Sequence, residues 1–160
     1  GNRGALGSVT VFDEVIAHID RFDKVIVSTG FNSRSFYTRS RIEADRIGAN
    51  VSKVIYNVGA MGFSYSIGLE YQSLGFKTLV VEGDGSAVMH FGSLIKDSEK
   101  RPKSLIIWNG MHESVGGYNL PFSSSDLLAS YFPEISRCPC LYITFGTLVS
   151  KLYIITFFTP

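Results

Sequence analysis

Three short apolar runs, Val25-Ile26-Val27, Leu79-Val80-Val81 and Leu105-Ile106-Ile107, constrain the fold of this chain more than any other feature. Each is continuous rather than alternating, as in strands covered on both faces. Each soon gives way to a polar, glycine-containing cluster: Ser28-Thr29-Gly30, Gly83-Asp84-Gly85-Ser86 and Asn109-Gly110. A fourth run, Ser52 to Tyr56, ends at Asn57-Val58-Gly59-Ala60-Met61-Gly62. The stretches between them carry helical signals. Strands that alternate with helices imply an α/β fold: a doubly wound, mostly parallel sheet with helices on both faces and right-handed crossovers.

The remaining elements follow from local pattern. Val11, Val15, Ile16 and Ile19 fall at helical spacing and predict an amphipathic helix from Val9 to Ile19. Asn32-Ser33 is placed to cap a helix running toward Ser40. Ser64, Ser66 and Gly68 mark a small-residue helix able to pack closely on the sheet, ended by Gly75. The strand before Gly83 is expected from Lys77 to Val81, a helix from about Ser86 to Ser98, and a charged surface turn from Glu99 to Lys103. Ser114 to Asn119 reads as a mobile active-site loop. A helix is expected from Ser123 to Phe132, and late strands over Cys140–Thr144 and Leu152–Phe158. Residues 1–8 are expected to be a flexible N-terminus and 9–160 one domain.

Composition narrows the function classes. A chain of 160 residues, 45% apolar, can bury a substantial core. A net charge of +1 favours neither nucleic acid nor an anionic membrane. No apolar segment reaches the roughly 18 residues of a membrane-spanning helix, and no charged n-region followed by an apolar h-region opens the chain. Cys138 and Cys140 are too close for an ordinary disulfide and too few for a zinc site. They read as thiols of a reducing cytoplasm, which sets the expected location.

Asp84 and Asn109 carry the chemistry. They lie 25 residues apart, each just past an apolar run, at the strand ends where open parallel sheets bind ligands. A carboxylate and an amide are hard oxygen ligands suited to Mg²⁺, which usually keeps substrate phosphate oxygens and water as well. The expected site is a metal-bridged diphosphate.

With Gly59-Ala60-Met61-Gly62 added, these elements resemble the cofactor-binding (PP) domain of thiamine-diphosphate-dependent enzymes over roughly residues 10–120. Ser28 to Arg34, Gly59 to Gly62, Gly83 to His90 and Asn109 to Gly117 are similar to the phosphonopyruvate decarboxylases, with the two-subunit sulfopyruvate decarboxylases close by. His112-Glu113-Ser114-Val115-Gly116-Gly117 is the most discriminating part, less similar to acetolactate synthases or pyruvate decarboxylases.

The resemblance implies the roles. Asp84, the Asn109 side chain and the Met111 carbonyl would ligate Mg²⁺. Thr29, Gly30, Ser33, Gly85 and Ser86 would hold the diphosphate of thiamine diphosphate, Gly83 and Ala87 would also bind the cofactor, and His112 would meet the diphosphate or the substrate. Gly59 and Ala60 would meet the aminopyrimidine, and Met61 would prop the cofactor's two rings into a V. His112, Glu113 and Ser114 would serve catalysis. Met61 also fits a core position, and His112 an ordinary loop. Arg34 fits either an anionic substrate or a helix face. His90 is expected to be structural, His18 a surface residue, and the Arg39-Ser40-Arg41 segment solvated.

The resemblance also implies a partner. These enzymes use a pyrimidine-binding (PYR) domain that supplies an activating glutamate, and no glutamate here fits that role. The helix-strand pattern begins near residue 10, so that domain is expected on a partner in a homo- or hetero-oligomer. The implied reaction is decarboxylation of a small anionic 2-oxo acid, phosphonopyruvate to phosphonoacetaldehyde and CO₂. Alternatives are the cofactor-binding subunit of a sulfopyruvate decarboxylase and a non-catalytic, thiamine-diphosphate-binding assembly module. A Rossmann-type nucleotide binder is disfavoured, because no Gly-x-Gly-x-x-Gly opens the first crossover. Tyr118, where relatives often carry Gln, and the apolar run from Tyr153 to Phe158 depart from the family pattern.

Overall fold

The apolar runs pair into the parallel sheet expected of them. The computed structural model describes residues 11–90 and 101–107 in full, and the backbone of 108, 111–112, 118–119 and 141–145. Helix α1 covers 11–17 and leads through a 3-10 turn, Ile19–Arg21, into β1, Lys24–Val27. Then come α2 (Phe31–Ile47), β2 (Val54–Tyr56), α3 (Ser64–Ser73), β3 (Thr78–Gly83) and α4 (Asp84–Met89). The later strands are β4 (Lys103–Trp108), β5 (Met111–His112), β6 (Tyr118–Asn119) and β7 (Leu141–Phe145). Five strands form one sheet in the order β2-β1-β3-β4-β7, every pair parallel.

The pleat sends alternate side chains to opposite faces. Val25, Val27, Leu79, Val81, Leu105 and Ile107 share one core with Val11, Phe12, Val15 and Ile16 of α1 and Phe36 of α2. Ile26, Val80 and Ile106 share the other with Tyr65 of α3 and Ala87 of α4. Helices therefore cover both faces, which is why the runs are apolar throughout. Each fully buried aliphatic side chain contributes about 1.5–3 kcal/mol. The chain leaves β1 outward to β2, then returns to β3 on the other side of β1. Open parallel sheets bind ligands beyond the strand carboxyl ends at such a reversal, which here falls between β1 and β3.

Several expectations need correction. The N-cap of α2 is Gly30, at φ 106°, with no side-chain cap; Asn32 and Ser33 lie inside the helix. The helix runs seven residues past Ser40, because its buried face continues through the polar Ser40 and Glu43. Arg41 is exposed as expected, but Ser40 is buried and Arg39 only part-exposed. Its guanidinium donates to both Asp13 oxygens at 2.7 Å, fastening α2 to α1, and to Glu43 at 3.1 Å. Strand β3 continues through Glu82 and Gly83, and α4 begins at Asp84 rather than Ser86. Lys103 opens β4, and Pro102 before it is buried, so the charged turn does not reach them. Tyr118 and Asn119 pair with His112 and Met111 as short antiparallel strands, so the loop expected from Ser114 does not extend over them. His18 is half-buried, its Nδ1 2.9 Å from the Glu14 carbonyl.

Other expectations stand. Gly68 presses α3 against Val80, leaving no room for a methyl group. Among the described residues, no helix is long and apolar enough to cross a membrane. The expected features within 1–10, 91–100, 120–140 and 146–160 lie outside the described residues, both cysteines among them.

Candidate functional site

Val27 pairs with Tyr56 on one side and Val81 on the other, so β1 and β2 end level while β3 runs two residues further, to Gly83. Their carboxyl ends are joined past the last ladder pair. The Ser28 N–H donates to the Val81 carbonyl and the Asn57 N–H to the Val27 carbonyl, both at 2.9 Å. Three polar turns are thereby set side by side.

The turn after β2 is shaped by its own amide. Asn57 Nδ2 donates to the Ala60 carbonyl at 2.8 Å and to Ser64 Oγ at 3.0 Å. Gly59 and Gly62 sit at φ 84° and 81°, where side chains are rarely accommodated. Both ends of the turn are tied to neighbours. The Gly59 N–H donates to Thr29 Oγ1 at 3.4 Å, and the Gly62 N–H to Ser86 Oγ at 3.2 Å. Between β1 and β3, Asn32 Nδ2 would lie 2.9 Å from a Cβ at Gly83, so a larger residue there would displace the Asn32 amide.

Gly59 and Ala60 are exposed, and nothing lies within 4 Å of a Cβ built on Gly59. Met61 is half-buried rather than part of either core. The turn thus offers an open edge of backbone with one apolar side chain beside it. Asp84 is 3% exposed, and one of its oxygens accepts the Gly85 N–H at 2.8 Å. Ser86 points inward, its hydroxyl donating to Glu82 at 2.9 Å. Ala87 buries its side chain in the core and has only backbone to offer a ligand. Thr29, Gly30 and Ser33 lie at the β1 end, where Thr29 and Ser33 are half-exposed. Arg34 is exposed with its guanidinium 5.9 Å from the Phe31 ring centroid, on the helix face.

Helix α4 lies beside β5, which brings the backbone of Met111 and His112 next to the helix that starts at Asp84. Asn109, Glu113 and Ser114 lie outside the described residues. Among the described residues, no group of three or more His, Cys, Asp or Glu is placed to hold a metal. One carboxylate, one amide and one carbonyl would not form such a group, yet as oxygen donors they match a hard cation.

A buried cluster under the turns escaped the sequence. Glu82, without solvent exposure, meets Ser86 Oγ with one oxygen and His90 Nε2 with the other, at 2.6 Å. The His90 ring stacks on Tyr65, with centroids 4.8 Å apart and planes 6° apart. The available signal was a glutamate inside an otherwise apolar strand. His90 is structural in this sense, as its motif position suggests.

These turns carry the motifs that a comparison of whole sequences can weigh. The chain is similar to phosphonopyruvate decarboxylase. It is 33% identical to that enzyme of Streptomyces viridochromogenes over 128 residues, covering 76% of this chain and 29% of the relative. The enzyme of Streptomyces hygroscopicus is 34% identical with the same coverage. The chain thus spans less than a third of the length of these curated relatives. No family model and no solved structure matches it.

Proposed function

We propose that this chain is the thiamine-diphosphate- and Mg²⁺-binding part of a decarboxylase for a small anionic 2-oxo acid of the phosphonopyruvate type. One observation carries the reading. Three segments similar to phosphonopyruvate decarboxylases, Ser28 to Arg34, Gly59 to Gly62 and Gly83 to His90, lie side by side past the carboxyl ends of β1, β2 and β3.

Asp84, Asn109 and the Met111 carbonyl would hold Mg²⁺. Thr29, Gly30, Ser33, Gly85 and Ser86 would hold the diphosphate, and Gly83, Ala87 and His112 would add to the cofactor site, with Ser86 and Ala87 acting through their backbone. The open edge at Gly59 and Ala60, with Met61 beside it, would receive the aminopyrimidine. The cofactor, when bound, supplies an electron sink for the pair released as CO₂ departs. The chain's own part is positional. The Gly85 N–H helps fix the Asp84 carboxylate. Thr29 and Ser86 fix the two ends of the turn. His112, Glu113 and Ser114 would face the substrate. A PYR domain or subunit would contribute the activating glutamate.

Titration calorimetry of thiamine diphosphate, with and without Mg²⁺, tests the reading on wild type and Asp84→Ala. Binding should require Mg²⁺ and fall at least tenfold on substitution, the order of a lost charged contact. Equal binding in all four combinations would refute it.

A further inference from the structure

Among the described residues, Glu82 is the one carboxylate buried beneath the candidate site that the proposed chemistry leaves unused. It lies in β3, two residues before Asp84, and faces the α3–α4 side of the sheet. Nothing of its side chain reaches solvent, so it cannot touch a ligand at the strand ends. Its contacts are nonetheless directional. A serine hydroxyl has one proton and two acceptor lone pairs. Ser86 gives that proton to Glu82 Oε2, which leaves its lone pairs to accept the Gly62 N–H. His90 occupies the second carboxylate oxygen and is itself clamped by the Tyr65 ring. The result is a continuous path: Tyr65, His90, Glu82, Ser86, Gly62.

Gly62 closes the turn that the proposed function assigns to the aminopyrimidine. The opposite end of that turn is tied to Thr29 by a longer bond of 3.4 Å. We infer that Glu82 is a positioning residue: by orienting the Ser86 hydroxyl it fixes the Gly59–Gly62 turn relative to Asp84. The ligand-binding half of this inference rests on the function proposed above. The coupling of Glu82 to the turn does not.

The test uses the full chain, with amide exchange of Gly62 followed by NMR in the absence of ligand, and thiamine diphosphate with Mg²⁺ as the binding probe. Glu82→Met keeps the volume and removes the acceptor. Ser86→Ala removes the tie, and Ser86→Thr restores a hydroxyl. Gly62 should exchange about tenfold faster in Glu82→Met and Ser86→Ala, on the scale of one net hydrogen bond. It should return toward wild type in Ser86→Thr, while the core amides of Val80 and Val81 stay protected throughout. Cofactor affinity should fall about as much in Glu82→Met, although the residue cannot reach the ligand. Unchanged Gly62 exchange in Ser86→Ala would overturn the inference whether or not Glu82→Met folds. Wild-type affinity in a folded Glu82→Met would overturn its ligand-binding half. If wild type itself bound no thiamine diphosphate, the proposed function would fall, and Gly62 exchange would still decide the coupling.

Discussion

Gly59 and Gly62 share one backbone conformation but not one environment, and substituting each by alanine separates the two effects. Both sit near φ +80°, so a Cβ at either position meets its own backbone, at a cost of about 1–2 kcal/mol. At Gly59 nothing else is within 4 Å, and that strain is the whole cost. At Gly62 the new Cβ would lie 2.7 Å from Met89 Cβ and 3.3 Å from Met89 Sδ. The sulfur can swing aside. The Cβ is anchored to the backbone, so α4 must move, which adds about 1–3 kcal/mol of overpacking. Gly59→Ala should therefore destabilise by about 1–2 kcal/mol and Gly62→Ala by about 2–5 kcal/mol. Urea unfolding midpoints at constant slope measure both. Met89→Gly, costing about 1 kcal/mol as a helical glycine, should recover the packing part in the Gly62→Ala background. Equal destabilisation by the two alanines, or no coupling to Met89, would refute this account. The functional consequence runs the other way. The Gly59 methyl projects into the open edge, so Gly59→Ala should lose cofactor affinity out of proportion to its modest loss of stability.

Two further outcomes test the scaffold. Gly68→Ala drives a methyl group into Val80 and against Pro102, and should destabilise by about 1–3 kcal/mol in urea unfolding, with part regained in Gly68→Ala/Val80→Ala. Hydrogen bonding from Arg46, then the charges of Arg46 and Arg39, hold the Glu43 carboxyl below its ordinary range despite the opposing effect of desolvation. A depressed folded value gives stability that is full above the unfolded value and lost as pH falls through the folded one. Glu43→Gln should therefore flatten the acid limb of the stability curve below about pH 4.5, the ordinary carboxylate value. Superimposable acid limbs for the two proteins would count against it.

What was legible in the sequence was whatever the apolar pattern records. Val25 to Val27, Leu79 to Val81 and Leu105 to Ile107 are strands because helices cover them on both sides. Val11, Val15, Ile16 and Ile19 are buried at their helical spacing. Where polar residues are buried, the pattern fails. The second half of α2 turns Ser40 and Glu43 inward. Ser40 Oγ donates to the Tyr37 carbonyl at 2.8 Å and meets the Tyr56 hydroxyl at 3.2 Å, while Glu43 is held by Arg39 and Arg46. Glu82 hides the end of β3 for the same reason, its oxygens met by partners four and eight residues later in the chain. Asn32 resembles a helix cap, but Gly30 already takes that position, and the amide faces Gly83 instead.

The motifs themselves were readable one at a time; the sheet order makes them a site. β1 is flanked by β2 and β3, so the Thr29 end can reach the turn of one neighbour while Asn32 meets the other at Gly83. No spacing rule contains that relation, because Thr29 and Gly59 are 30 residues apart and Gly62 and Ser86 are 24 apart. The ties also divide the site in two. The turns proposed to retain the cofactor are fixed to the ends of three core strands, whereas His112 lies on a hairpin of two-residue strands beside α4. A change at Thr29, Gly62 or Ser86 must disturb the rigid edge and is expected to lower cofactor affinity for any substrate. A change at His112 leaves those ties intact, so any loss of affinity there is expected without the faster Gly62 exchange that loss of the Ser86 tie produces.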